Sequence, residues 1–283
     1  MSLSIGGIIS QTFSMTRQRI GSLLGIYAIY FVLQLVLMFV MFGAVGSSFM
    51  MAGAMESPMA MGAGAMLMMI VAYIAYFLIY MAQGASLVHN ASPVHDTTLG
   101  DSFMEGLRKI PTLFGLALLL MAAYIAAVLL LAIVGAIFSL AGDAGSVLFL
   151  VAVFLGMIYV ACRLSLIMPV IAVDGVRNPI TAVTRSWTLT SGHVGKIFVV
   201  ILLFSLIVVG AILAMFALMG GSMMGFAAGG NIDAAAPAMG ATMIVFFLGF
   251  LVLMVLLALL SAAFMAVLHA SLAGPEAVAE TFA

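Results

Sequence analysis

The segment NPITAVTRSWTLTSGHVGKIF, residues 178–198, is the most polar run in a chain otherwise dominated by Leu, Ile, Val, Ala, Met and Phe. Asn178 followed by Pro179 predicts a helix start, because an Asn side chain caps the first turn and Pro fits the first helical position. Apolar residues, including Trp187, then recur at helical spacing, which favours an amphipathic helix. We therefore predict a helix over residues 179–191 that leads into a long apolar run.

Around this segment the composition is that of a membrane protein. Of the 283 residues, 66% are hydrophobic and only 6% are charged, whereas a soluble domain carries about 25% charged residues. Apolar runs longer than about 18 residues recur, and each is long enough to cross a bilayer as a helix. The net charge of -1 favours no class of partner. With Cys162 as the single cysteine, an intrachain disulfide is impossible.

Six apolar runs are predicted to span the membrane. The joints after the first, third and fifth runs contain Glu56, Asp143 and Asp233 but no Lys or Arg, and all eight basic residues lie on the other side or near it. Because Lys and Arg in short loops favour the cytoplasm, both termini are expected there. The predicted spans lie near Ile20–Val45, Gly64–Val88, Ile110–Leu140, Ser146–Val170, Val194–Gly220 and Ala241–Leu268.

The polar segment has two counterparts earlier in the chain. FSMTRQRIGSLL from Phe13, FMEGLRKIPTLF from Phe103 and WTLTSGHVGKIF from Trp187 align without gaps, and each runs into an odd-numbered span. Each begins with an aromatic residue and has a basic residue or histidine six positions later. These paired positions, predicted as interfacial anchors, are Phe13 with Arg19, Phe103 with Lys109, and Trp187 with His193.

This self-similarity predicts three pseudo-repeats within one membrane domain of residues 1–283. Each repeat would be an amphipathic helix lying in the membrane interface, followed by a two-helix hairpin. The fold class predicted is therefore an all-α integral membrane protein with six transmembrane helices. The interfacial helices are predicted at 5–19, 98–109 and 179–191, the repeats at approximately 5–92, 97–172 and 178–272, and a short cytoplasmic tail at 273–283.

Arg163 is the single full charge predicted inside an even-numbered span. It lies six residues before Pro169, about 9 Å deeper along a helix, where insertion scales assign a charge a penalty of about 2.5 kcal/mol. It would therefore be either a packing anchor or the contact for a substrate anion. If the chain turns at Pro169, Asp174 is a candidate partner for Arg163, but Arg185 competes for the same carboxylate.

The stretch YVACRLSLIMPVIAVDGVRNPITAVTRSWTLTSGHVGK, residues 159–196, resembles the glycerophosphoryl diester phosphodiesterase membrane-domain family. The resemblance implies a multi-pass protein of the bacterial inner membrane with a poorly defined role. Some members carry a soluble phosphodiesterase barrel after the last span. A (β/α)₈ barrel needs about 250 residues, and only fifteen follow Leu268, so no enzymatic activity is expected. The structural or anion-contact candidates are Arg163, Pro169, Asp174, Arg185 and Trp187.

Two outer segments are rich in methionine. Thioethers favour Cu(I), so Cu(I) or Ag(I) binding on the outer face is a weak candidate function. Flexible apolar filler is the simpler interpretation, and the histidines lack metal-ligand spacing, so neither a metal nor a cofactor is expected. The weak candidate ligands are Met55, Met59, Met61, Met223 and Met224.

Two classes of function remain open. The first is a non-enzymatic inner-membrane module that organises lipids or partner membrane proteins, or forms a homo-oligomer. The second is a small transporter or permease for an anionic or lipidic substrate held by Arg163. No motif suggests nucleic-acid binding. Gln34 and Gln83 are the amides within the spans, and each is expected to take part in interhelical hydrogen bonding.

Overall fold

The computed structural model describes residues 4–53, 63–93, 97–228 and 232–280. These residues form helices joined by short turns, with no strand among them. In chain order the helices are α1 (Ile5–Gln18), α2 (Ile20–Gly53), α3 (Ala63–Ala91), α4 (Leu99–Arg108), α5 (Ile110–Ser139), α6 (Gly142–Leu164), α7 (Ile167–Ala172), α8 (Pro179–Leu189), α9 (Val194–Ala228) and α10 (Ile232–Glu280).

Within the described residues, six segments are long and apolar enough to span a membrane, which confirms the predicted all-α membrane class. They are Ile20–Gly43, Met66–Ala91, Ile110–Ser139, Gly142–Ala172, Val194–Met219 and Gly240–Ala273.

The fourth span was predicted near Ser146–Val170 and is found at Gly142–Ala172, but it is not one continuous helix. The helix is interrupted at Ser165 and Leu166, between α6 and α7. Pro169 explains the interruption, because a proline has no N–H to donate to the carbonyl four residues earlier and its ring crowds that carbonyl.

Three short helices, α1, α4 and α8, form where amphipathic segments were predicted, and each has a polar N-cap. The Ser4 side chain accepts a hydrogen bond from the Gly7 N–H at 3.3 Å. Thr98 forms a capping box with Asp101. The Asn178 side chain accepts from the Ile180 N–H at 2.9 Å, which confirms the predicted helix start. These bonds satisfy amide groups that a helix end leaves free. Their interfacial location stays a prediction.

The short helices bury matching positions of the predicted repeats. When Phe13, Phe103 and Trp187 are aligned, small side chains one residue before and three residues after them face the bundle. Small residues allow helices to approach closely. The shared burial supports the three-fold repeat, whose bounds stay a prediction. The buried sets are Thr12 and Thr16 in α1, Ser102 and Gly106 in α4, and Ser186 and Thr190 in α8.

The arrangement of neighbours follows the same order. α4 packs on α3, the span before it, and α8 packs on the broken span formed by α6 and α7. α1 packs chiefly on α10, the last span. Each of the helices α1, α4 and α8 therefore contacts an even-numbered span.

The buried core lies at one end of the bundle. In chain order, the last buried residues of α2, α5 and α9 are Tyr30, Leu116 and Phe204. The first buried residues of α3 and α10 are Ala82 and Leu257. We call the half that contains the core and the short helices the basic end, and the opposite half the apolar end. Within the described part of the apolar end, Gly145 at the α5–α6 turn is the one buried residue.

A polar contact joins α2 and α3 between these two halves. The Gln34 side-chain amide donates to the Gln83 side-chain oxygen at 2.9 Å, so both residues form the interhelical hydrogen bonding expected of them. Such a bond replaces the water that an amide would lose inside a bilayer.

Candidate functional site

The break in the fourth span is covered by α8. The Ser186 hydroxyl donates to the Arg163 carbonyl at 2.8 Å, and the Arg163 Nη1 donates to the Trp187 carbonyl at 2.9 Å. Arg163 therefore accepts from α8 through its backbone and donates to α8 through its side chain. We call Tyr159, Arg163, Ser186 and Trp187 the α6–α8 clasp. It satisfies a carbonyl at a break where the helical ladder ends.

Two aromatic rings hold the Arg163 side chain. The Tyr159 hydroxyl accepts from Nε at 3.0 Å and from Nη2 at 2.8 Å. The guanidinium carbon lies 4.9 Å from the centroid of the Trp187 ring and 5.2 Å from that of Tyr159. Both distances fall within the range of cation–π attraction. The Arg163 partners are thus Tyr159 and α8, and Asp174, the candidate partner from the sequence, is not among them.

Asp174, in the turn between α7 and α8, joins a second polar cluster. Its carboxylate accepts from the Arg185 Nε at 2.6 Å and lies 3.2 Å from the His269 Nε2. The carboxylate only accepts, so Nε2 carries the proton in this contact. We call Asp174, Arg185 and His269 the acid cluster. It ties the turn, α8 and the end of α10 together, and it shows that Arg185 wins the competition for Asp174.

The acid cluster is largely shielded from solvent, because the side chains of Asp174 and His269 are only 10% and 2% exposed. Burial of the carboxyl would raise the pKa of Asp174, but the hydrogen bond and charge of His269 and the charge of Arg185 outweigh it. The pKa of Asp174 therefore lies below its ordinary value of 3.8. The carboxylate is ionised at neutral pH.

A third polar cluster joins α2, α3 and α4. The Arg19 Nη1 donates to the Asn90 carbonyl at 2.6 Å, so it caps the end of α3. The Ser22 hydroxyl donates to the Asn90 side-chain oxygen at 2.8 Å, and the Asn90 amide donates to the Ser102 hydroxyl at 3.2 Å. Ser102 and Ser186 are aligned positions of the predicted repeats, and each bonds to the end of the preceding span.

The other predicted anchors occupy varied environments. Phe13 is exposed, Phe103 packs against the Tyr30 ring at 5.1 Å between centroids, and the His193 Nδ1 lies 3.1 Å from the Ser191 carbonyl. Lys109 was expected to reach the membrane surface, but it is only 5% exposed and pairs with Glu105 at 2.8 Å. One helical turn separates Glu105 from Lys109, so the two side chains can pair. Interfacial anchoring stays a prediction for the rest.

An apolar groove of about 470 Å³ lies between α2 and α10. Its walls are side chains within the first and sixth candidate spans. A narrow apolar cleft of this volume fits part of a hydrocarbon chain. The walls include Leu24, Tyr27 and Phe31 from α2 and Phe250, Met254 and Val255 from α10.

Sequence reasoning missed several residues of these clusters. Tyr159, Asn90 and His269 each lie in or beside an apolar run, and no local spacing distinguishes them. Among the described residues, no group of three or more His, Cys, Asp or Glu is placed to hold a metal ion. The weak copper candidates Met55, Met59 and Met61 lie outside the described residues, as do the side chains of Met223 and Met224.

No family model matches this chain, and no curated protein or solved structure shows significant similarity to it. The resemblance to the glycerophosphoryl diester phosphodiesterase membrane-domain family therefore stays a prediction.

Proposed function

We propose that this protein is a non-enzymatic membrane module that organises lipids in the bacterial inner membrane. The observation that carries the proposal is the apolar groove between α2 and α10. All of its walls lie within candidate spans, so the medium around it is hydrocarbon. A lipid acyl chain is therefore the occupant that fits it.

The uncovered apolar end supports the same function. Large apolar side chains on α5, α6, α9 and α10 are exposed over this half of the bundle. Lipid tails are as apolar as these side chains, so no hydrophobic force draws the uncovered helices together. The surface can hold lipids or the spans of a partner membrane protein, including a second copy of this chain.

A substitution within the groove tests the proposal. Ala28 lines the groove, whereas Ala127 is exposed on α5 away from it. Ala28→Trp should fill the cleft and remove about one tightly bound lipid per protein, measured by native mass spectrometry after mild delipidation. Ala127→Trp adds the same side chain elsewhere and should retain wild-type lipid content.

Two results would contradict a lipid-binding groove. One is a wild-type protein that holds no lipid after the same delipidation. The other is equal lipid retention by the Ala28→Trp and Ala127→Trp variants, because the groove would then contribute nothing to binding.

The proposed orientation places the basic end in the cytoplasm, because the Lys and Arg residues concentrate there. Leu140 is exposed at the α5–α6 turn and Thr181 is exposed on α8. In a Cys162→Ala background, Leu140→Cys should react with an impermeant thiol reagent in intact cells. Thr181→Cys should react only after lysis, and the reverse pattern would invert the topology.

One observation favours a transporter as the second candidate. Broken helices line the substrate sites of many transporters, and the fourth span breaks beside Arg163. Here, however, Ser186 covers the freed carbonyl, and Tyr159 and Trp187 engage the guanidinium. These contacts favour a packing role. Anion flux into proteoliposomes that Arg163→Lys abolishes would support the transporter instead.

A further inference from the structure

A second cavity, of about 640 Å³, opens at the basic end. It lies between the junction of α4 with α5 and the segment that leads into α8. Three cationic side chains line it, Arg108, Lys109 and Arg177, together with the Glu105 carboxylate. The walls therefore carry an excess of positive charge in a concave site, which attracts anions.

Glu105 compensates one of these cations. It pairs with the buried Lys109 at 2.8 Å, and the hydrogen bond from Lys109 holds the pKa of Glu105 below its ordinary value. Arg108 and Arg177 are exposed, and neither forms an ion pair with any residue that the structure describes. Asp174, close to Arg177 in the chain, is already bound by Arg185 and His269. The guanidinium groups of Arg108 and Arg177 can therefore bind an anionic ligand.

The backbone around the cavity is fixed by specific contacts. The Thr112 hydroxyl donates to the Arg177 carbonyl at 3.0 Å, which holds the Arg177 segment against the first turn of α5. α5 and α8 also meet closely, because a Cβ built on Gly115 would lie 3.0 Å from the Pro179 ring. The first turn of α5 adds the positive end of a helix dipole to the cations.

We propose that this cavity binds a phosphate group. Planar guanidinium groups match the geometry of phosphate oxygens and pair with them through two parallel hydrogen bonds. Lipid phosphates lie at the depth where spans meet the headgroup region, and basic pockets between transmembrane helices bind such headgroups. The third span begins at Ile110, beside the cavity. This position favours the phosphate of an anionic lipid over free phosphate, and only that choice rests on the proposed function.

The test measures ligand-induced thermal stabilisation of the full chain in a neutral detergent at low salt. The probes are dioctanoyl phosphatidic acid, dioctanoyl phosphatidylcholine and inorganic phosphate. A ligand that binds the folded state raises the melting temperature with its concentration, and the dependence yields an apparent Kd. We expect phosphatidic acid to bind at least about tenfold more tightly than phosphatidylcholine. Its phosphate monoester carries a net charge of about −1.5 to −2 at neutral pH, whereas the choline ammonium balances the phosphate charge of phosphatidylcholine.

Matched charge variants locate the site. Arg108→Gln with Arg177→Gln removes the two exposed guanidinium groups of the cavity. Arg17→Gln with Lys196→Gln removes two exposed charges that do not line it. The cavity variant should weaken phosphatidic acid binding about tenfold or more, whereas the control should stay within about twofold of wild type, as screened surface charges do.

The outcomes separate the sources of phosphate. Stabilisation by phosphatidic acid alone supports a lipid headgroup, and stabilisation by inorganic phosphate as well supports a site for the phosphate group itself. Equal weakening in both double variants, or no preference for phosphatidic acid in wild type, overturns the proposal. The groove is judged separately by Ala28→Trp, which should leave phosphatidic acid stabilisation by the cavity in place.

Discussion

The basic end and the apolar end of the bundle share the six spans but differ in the contacts that hold the helices together. At the basic end, short helices pack small residues against the even-numbered spans, and polar clusters bridge helices far apart in sequence. At the apolar end the same spans are uncovered among the described residues. This difference indicates that the contacts which fix the arrangement of the helices lie near the basic end.

The physical environment explains this division. Within a bilayer, apolar side chains gain little by leaving lipid for protein, so helices associate through close packing and hydrogen bonds. Both are concentrated at the basic end, which we expect to lie near the membrane interface, where polar side chains are less costly to place. The apolar end needs only length and hydrophobicity to cross the membrane.

Two leucines on α5 test the contrast most strongly. Leu113 is 0% exposed at the basic end and Leu130 is 64% exposed at the apolar end. Leu113→Ala should lower the free energy of unfolding by about 2–5 kcal/mol, because it leaves a cavity in a packed core. Leu130→Ala should change it by less than about 0.5 kcal/mol. Thermal unfolding in detergent measures both, and equal losses would contradict the division.

A glycine pair tests the close approach of the short helices. A Cβ on Gly106 would meet the Ser86 hydroxyl and lie 2.7 Å from the Ala82 carbonyl, whereas one on Gly156 would meet nothing within 4 Å. Gly106→Ala should destabilise the protein by about 1–3 kcal/mol through overpacking. Gly156→Ala, at an exposed position of α6, should be neutral or stabilising. Comparable melting temperatures for the two variants would show that α3 and α4 need no close contact.

The α6–α8 clasp should contribute a smaller effect. Arg163→Met keeps an apolar stem but removes the donor to the Trp187 carbonyl, and should cost about 1–2 kcal/mol. The exposed Arg17 on α1 provides the control Arg17→Met, which should change stability by less than about 0.5 kcal/mol. The readout is the melting temperature together with Trp187 fluorescence, since the guanidinium lies over that ring. An unchanged spectrum in Arg163→Met would exclude this contact.

The acid cluster should give the smallest effect, and one that depends on pH. The folded pKa of Asp174 is below 3.8, so the ionised carboxylate stabilises the fold above the ordinary pKa, and this contribution is lost as pH falls through the folded value. Asp174→Asn should cost on the order of 1 kcal/mol at neutral pH, since Arg185 is partly exposed and screened. The difference in melting temperature from wild type should shrink below about pH 4. A difference in melting temperature that grows on acidification would contradict a lowered pKa of Asp174 in the folded protein.

Local chemistry made part of the site predictable. Asn178 and Pro179 mark a helix start because capping involves residues within one turn. Gln34 and Gln83 had to find partners because an amide in hydrocarbon has no water. By contrast, the break after Arg163 was missed, although Pro169 supplies its physical reason, because apolar length alone cannot distinguish one helix from two.

The sequence by itself determined the class of the protein, its six spans and its three amphipathic segments, because hydrophobic length and helical periodicity are properties of contiguous residues. The tertiary structure decided which charges pair. His269 reaches Asp174 across 95 positions of the chain, Arg163 meets Trp187 instead of Asp174, and Lys109 turns inward. These choices depend on which helices approach each other, and close approach is set by small residues such as Gly106 and Ser186, whose burial follows from packing in three dimensions.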